Sequence, residues 1–315
     1  MSRTLLPLSL SAALMGGTAF AEVPRVAVDI APVHSLVARV MDGVGTPDLI
    51  VQPGGSPHEY SLRPSEAEAL QEADLVFWVS LELTPWLGDA IETLATGASV
   101  TELLEADGTI ELDSRESALF EAHQDGEDED VYAEHADEQG ESQGHGEHDT
   151  HAWLSPQNAA TWLYVIAGQL SAADPENEGV YFANAAAGQA EIGALTADIN
   201  TMLEPVRGGQ FIVFHDAYQY FESAFEFTAA GAISIGDASD PSPARIAEIR
   251  ARIAYEGIDC VLAEPQFNAG LVATVLDGTQ AKTGVLDPLG SDLEPGPALY
   301  PQLIRNVATV LVECL

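Results

Sequence analysis

Lysine is almost missing from this chain. Lys282 is the only one among 315 residues, and all basic side chains together number 11 against 50 acidic ones. The formal net charge of −39 argues against nucleic acid and anionic lipid surfaces as partners, because both are gripped through basic patches. Cysteine is scarce as well: Cys260 and Cys314 are the only two. No C-x-x-C spacing supports a thiolate metal site, and two buried thiols would suit a reducing compartment. In a secreted chain an even pair reads as one disulfide, whose loop closure would constrain the unfolded chain by about 4 kcal/mol. There is no H-E-x-x-H, so the local signature of a helical zinc hydrolase is lacking. No apolar run is long enough to span a bilayer.

What is present begins with a leader. Arg3 gives a positive start, Leu5 to Met15 a short apolar stretch, and Ala19-Phe20-Ala21 a small-residue cleavage site, so residues 1–21 read as a secretory signal peptide. The mature chain is expected in the periplasm, without a lipid anchor because no cysteine follows the leader. That missing cysteine also disfavours a surface adhesin.

The segment 121–150 is the most distinctive. With His151 at its end it holds five of the eight histidines, and residues 121–149 carry 12 carboxylates with no Lys or Arg. Such a composition buries too little apolar surface to order its backbone and reads as a loop. Imidazoles among carboxylates are the ligand set of a borderline divalent cation, zinc above all. His123, His135, His145 and His148 are thus candidate auxiliary metal ligands, sampling zinc beside a main site.

Around this loop, short β-branched runs alternate with helical stretches. Strands are expected at 25–30, 48–51, 75–79, 211–214, 229–235, 260–263 and 283–286. Helices are expected at 33–42, 65–72, 85–94, 155–171, 178–203, 217–225, 243–255, 269–278 and 300–313. The rhythm implies an α/β fold of two pseudo-symmetric lobes, each a mostly parallel sheet flanked by helices. The division reads as an N-terminal lobe over 22–176, a rigid linker helix over 177–204 and a C-terminal lobe over 205–315.

Ligands of open α/β sheets sit beyond the carboxyl ends of the strands. Three histidines fall there: His58 in GGSPHEYSLRPSEA, His151 in HAWLSP and His215 in FIVFHDAYQYF. Asp287, in VLDPLG, follows the last strand. Asp216 is a candidate to orient a ligand ring or to cap the next helix, and Glu264 in AEPQF is placed to accept a ring N–H. His34 also follows a strand but reads as an ordinary helix-start residue.

At these positions the sequence resembles the zinc-binding solute receptors of high-affinity zinc ABC transporters, of the ZnuA type. The matching segments are SPHEYSLRPSEAEALQEADLVFWV, HAWLSP, FIVFHDAYQYF, AEPQF and LDPLG, and Cys260 and Cys314 fall where that family has its disulfide. The resemblance implies two lobes joined by a long helix, with the metal in the cleft between them. It implies His58, His151 and His215 as zinc ligands, 121–150 as the family's charged loop, and delivery of zinc by a monomer to a membrane permease with a partner ATPase. Some members carry a glutamate before the first ligand histidine. Here Pro57 stands there, leaving water, Asp287 or a loop histidine for the fourth position. Related manganese receptors have glutamate where this chain has His215, and nitrogen in its place favours zinc. A secreted zinc-dependent hydrolase and a manganese receptor are the alternative functions.

Overall fold

The computed structural model describes residues 23–115, 117, 120, 148–234, 241–267 and 269–315. The leader and the loop histidines His123, His135 and His145 lie outside the described residues.

The N-terminal lobe is built on β1 (Val26–Val28), β2 (Asp48–Leu49), β3 (Leu75–Trp78) and β4 (Ser99–Glu102), parallel throughout and ordered β2-β1-β3-β4. Helices α1 (Ala31–Val40), α2 (Pro64–Glu72) and α3 (Pro85–Leu94) make the crossovers. Strand β4 was not anticipated from sequence. Its four residues, Ser99 to Glu102, are exposed or half-buried at the sheet edge, so it carries no apolar run to reveal it. The C-terminal lobe repeats the plan with β5 (Phe211–His215), β6 (Gly231–Ser234), β7 (Cys260–Ala263) and β8 (Lys282–Val285), parallel and ordered β6-β5-β7-β8. Between them lie α6 (Gln219–Phe225), α7 (Pro243–Glu256) and α8 (Ala269–Leu276), and α9 (Leu299–Cys314) ends the chain.

Two long helices follow the first sheet, and the second of them joins the lobes. α4 (Pro156–Ala173) starts where Ser155 Oγ accepts the Asn158 N–H at 3.2 Å, with Pro156 in the first turn. That is the combination of capping oxygen and missing donor that helix starts favour. α5 (Glu178–Leu203) runs 26 residues, about 39 Å at 1.5 Å per residue. Its buried positions Tyr181, Ala185, Gly188, Ile192, Leu195, Ile199 and Leu203 follow each other by three or four, so one stripe faces the core. At Gly188 a β-carbon would stand 2.9 Å from Leu163 Cδ1 and 3.3 Å from Arg39 Cγ. Glycine there lets α5 lie against α4 and α1.

The core follows from this layering. One buried cluster takes the α1 side of the first sheet, α4, α5, part of the second sheet and α9 together. Two smaller clusters fill the outer faces, under α2 and α3 in one lobe and under α7 and α8 in the other. The lobes are also tied by polar bonds: Tyr300 N–H donates to Ser35 Oγ at 2.9 Å, and Trp153 Nε1 donates to the Pro288 carbonyl at 2.8 Å. A disulfide joins Cys260 on β7 to Cys314 at the end of α9, closing 54 positions of chain. Among the described residues no helix is long and apolar enough to cross a membrane.

Candidate metal centre

Three separate pieces of chain deliver imidazoles to one place. His58 sits in the loop between β2 and α2, half-buried. The loop turns at Gly54, whose φ of +83° is the left-handed region glycine tolerates, and at Gly55 a β-carbon would strike the Tyr60 ring at 2.7 Å. Tyr60 in turn donates to Glu66 Oε1 at 2.9 Å, and Trp86 Nε1 donates to the Pro57 carbonyl at 2.7 Å. The peptide before His58 is thereby pinned to α3.

His151 is buried and stands just before a short 3-10 turn, Ala152–Leu154. Its ring Nδ1 lies 2.7 Å from Asp149 Oδ1, and its backbone N–H donates to the same oxygen at 2.9 Å. His215 is the last residue of β5 and is buried too. Glu264, just past β7, receives its backbone N–H at 3.2 Å and faces its ring Nδ1 at 2.8 Å. In both rings the Nδ1–H donates to a carboxylate. That leaves each Nε2 as a lone pair pointing the other way.

Those lone pairs converge. His151 Nε2 and His215 Nε2 are 3.3 Å apart, and donor atoms of His58, His151 and His215 all lie within 4.8 Å of one another. Two unprotonated nitrogens at that separation repel unless a shared cation lies between them. Zinc–nitrogen bonds of about 2.0–2.1 Å in a tetrahedron place their nitrogens about 3.3–3.4 Å apart. The observed pair matches that edge. The surroundings are largely apolar, with the Trp153 ring 5.3 Å from His151 and the Phe267 ring 5.3 Å from His215, which keeps bulk water from competing.

The remaining predicted residues are placed otherwise. Asp287 is not among the converging donors. Its Oδ1 accepts from Leu289 N–H and Gln266 Nε2, both at 3.0 Å, and its Oδ2 accepts from Ser291 N–H at 2.5 Å. Those bonds shape the turn after β8. Asp216 neither orients a ring nor caps a helix: α6 starts at Gln219, and the Asp216 carboxylate accepts from Arg115 Nη1 at 2.8 Å. Burial pushes its pKa up to about 7 against the pull of Arg115. Arg115 also donates to Glu222 Oε2 at 2.6 Å. His148 forms an antiparallel bridge with Asp113 and lies 3.6 Å from the carboxylates of Glu111 and Asp113, without joining the three rings. His34 is buried elsewhere, its Nε2 at 3.1 Å from the Pro47 carbonyl.

Sequence reasoning missed Asp149 and Arg115. Asp149 carried one usable signal, a carboxylate two residues before a candidate ligand. Arg115 carried none, because its partners are about a hundred residues away.

Two like-wound α/β lobes on a shared core, with an imidazole cluster between them, define a two-lobed binding protein with a metal-type cleft. The model of the family ZnuA, zinc-uptake complex component A, periplasmic, matches residues 26–314, and the chain belongs to that family. It is 46% identical to the high-affinity zinc uptake system protein ZnuA of Brucella abortus, over 96% of this chain and 95% of that one. It is 42% identical to the protein of the same name from Paracoccus denitrificans, over 98% of each. A crystal structure of ZnuA superposes with a TM-score of 0.74 at 21% identity, over 93% of this chain and 99% of that one.

Proposed function

We propose that this protein is the periplasmic receptor of a high-affinity zinc uptake system. It captures one Zn2+ between its lobes through His58, His151 and His215, and passes it to the permease of an ABC transporter driven by a partner ATPase. The N-terminal lobe, divided from the C-terminal one at α5, supplies two ligands and the C-terminal lobe the third. The receptor acts as a monomer after removal of the leader 1–21 and carries no lipid anchor. The loop 121–150, with His123, His135, His145 and His148, raises the local zinc concentration beside the cleft.

One observation carries this reading: the 3.3 Å approach of two Nε2 atoms whose rings are held from behind by Asp149 and Glu264. An all-imidazole set suits zinc better than manganese or magnesium, which prefer oxygen. The position of the carboxylates favours a receptor over a hydrolase. A hydrolase needs a carboxylate facing metal-bound water as general base, whereas Asp149 and Glu264 are engaged on the Nδ1 side of the rings. Competition with a calibrated zinc chelator tests the reading. One high-affinity site is expected, and a wild-type chain that leaves zinc on the chelator would sink it.

A further inference from the structure

We infer that Gln266 completes the metal centre by holding, through its amide oxygen, a water that fills the fourth coordination position of the captured zinc. The inference rests on the receptor reading above and specifies its site.

Tetrahedral zinc takes four donors, and three histidines converge among the described residues. The obvious carboxylate, Asp287, has both oxygens committed to the turn it shapes. Pro57, immediately before His58, offers no side-chain donor. Gln266, two residues after Glu264, lines the same cavity as the three rings.

The orientation of Gln266 is settled by its nitrogen. Nε2 donates to Asp287 Oδ1 at 3.0 Å and to Ser291 Oγ at 3.1 Å. Both amide hydrogens are thereby used, so Oε1 must face away from that turn. Oε1 is buried and accepts no hydrogen bond from any described residue. A buried acceptor without a donor is destabilising, because its lost hydration is not replaced. A zinc-bound water supplies the donor, since the cation polarises its O–H bonds. The three rings and Gln266 line one cavity, so the ion and its water share that space. Asp287 thus acts at one remove, fixing the amide that holds the ligand. An amide oxygen accepts a hydrogen bond but takes no proton at neutral pH.

Two variants of the full chain test this, Gln266→Met and Gln266→Glu. Zinc affinity is read by chelator competition, the coordination sphere by zinc-edge X-ray absorption and by the visible spectrum of the cobalt(II)-loaded protein. Wild type should show three imidazole nitrogens and one oxygen. Gln266→Met should weaken zinc about tenfold and change the cobalt bands. Gln266→Glu keeps an acceptor, now charged, beside the cation but loses both donors and faces Asp287, so it should weaken zinc less than Gln266→Met does. Four imidazole nitrogens in wild type, a methionine variant that matches wild type, or equal losses in both variants would each overturn the inference while leaving the receptor reading intact. A wild-type chain that binds no zinc removes both, and shows itself before any variant is made.

Discussion

The two lobes share one winding but finish their second-position strand differently. In the N-terminal lobe β1 is followed directly by Asp29, whose fully buried carboxylate accepts the N–H of Ile30 at 2.7 Å and of Val79 at 2.8 Å. It seals the gap between β1 and β3. In the C-terminal lobe the corresponding strand β5 ends in His215, and the carboxylate comes from the neighbouring strand, where Glu264 takes both the backbone N–H and the ring Nδ1. There the carboxylate holds a ligand outward. Sheet topology creates a strand-end position, and the side chain placed on it decides between a seal and a binding site. The N-terminal lobe instead supplies its ligands from loops, His58 after β2 and His151 ahead of α4. Only the C-terminal lobe is stapled, by Cys260–Cys314.

The staple should give the largest asymmetry. Replacing both cysteines by serine should lower unfolding stability by about 4 kcal/mol, read by denaturant titration. A loss of a few tenths would mean that packing of α9 already fixes the C-terminal lobe.

Ligand loss comes next. His151→Ala, from the N-terminal side, and His215→Ala, from the C-terminal strand end, should each weaken zinc by more than about 100-fold, since loss of an outer partner alone costs about 10–100-fold. If only one variant showed this, the ion would belong to one lobe rather than to the cleft. Because imidazole binds zinc only when unprotonated, affinity should also fall as the medium is acidified.

Smaller effects are expected one step out. Asp149→Asn and Glu264→Gln should each cost about 10-fold or somewhat more in zinc affinity, with stoichiometry kept at one. A difference between them would rank a loop-borne support against a strand-borne one.

The seal at Asp29 should show itself through pH alone. Burial raises its pKa from 3.8 to about 7, with the N–H bonds from Val79 and Ile30 opposing. A carboxyl whose folded pKa is raised holds its proton more tightly in the folded state. Its contribution therefore falls as pH rises between the two values, by up to about 1.4 kcal/mol per pH unit. Asp29→Asn should flatten the stability profile between pH 5 and 7, and parallel profiles for variant and wild type would rule this out.

Much of the architecture was readable in advance because long periodic segments declare themselves. The linker helix and the helix at 85–94 were expected over the residues they occupy, and β7 likewise. Strand β4 was hidden because an exposed edge strand has no hydrophobic alternation to display. His215 was legible as a strand-end residue, whereas His58 and His151 stand in loops and were picked out in a chain rich in imidazole and carboxylate. Glu264 was legible for the same reason as His215. Asp216 misled, because proximity in sequence to His215 suggested a role that Arg115 redirects.

Composition and periodicity therefore settled the fold class, the acidic character and the residue types from which a metal site could be made. They act locally, through backbone preference and burial, and local forces are written in local sequence. Folding alone decided which carboxylate faces which ring nitrogen, that Asp287 shapes a turn, and that an arginine about a hundred residues away engages Asp216. Those outcomes depend on angstrom-scale distances between segments remote in the chain, and only the packed core sets such distances.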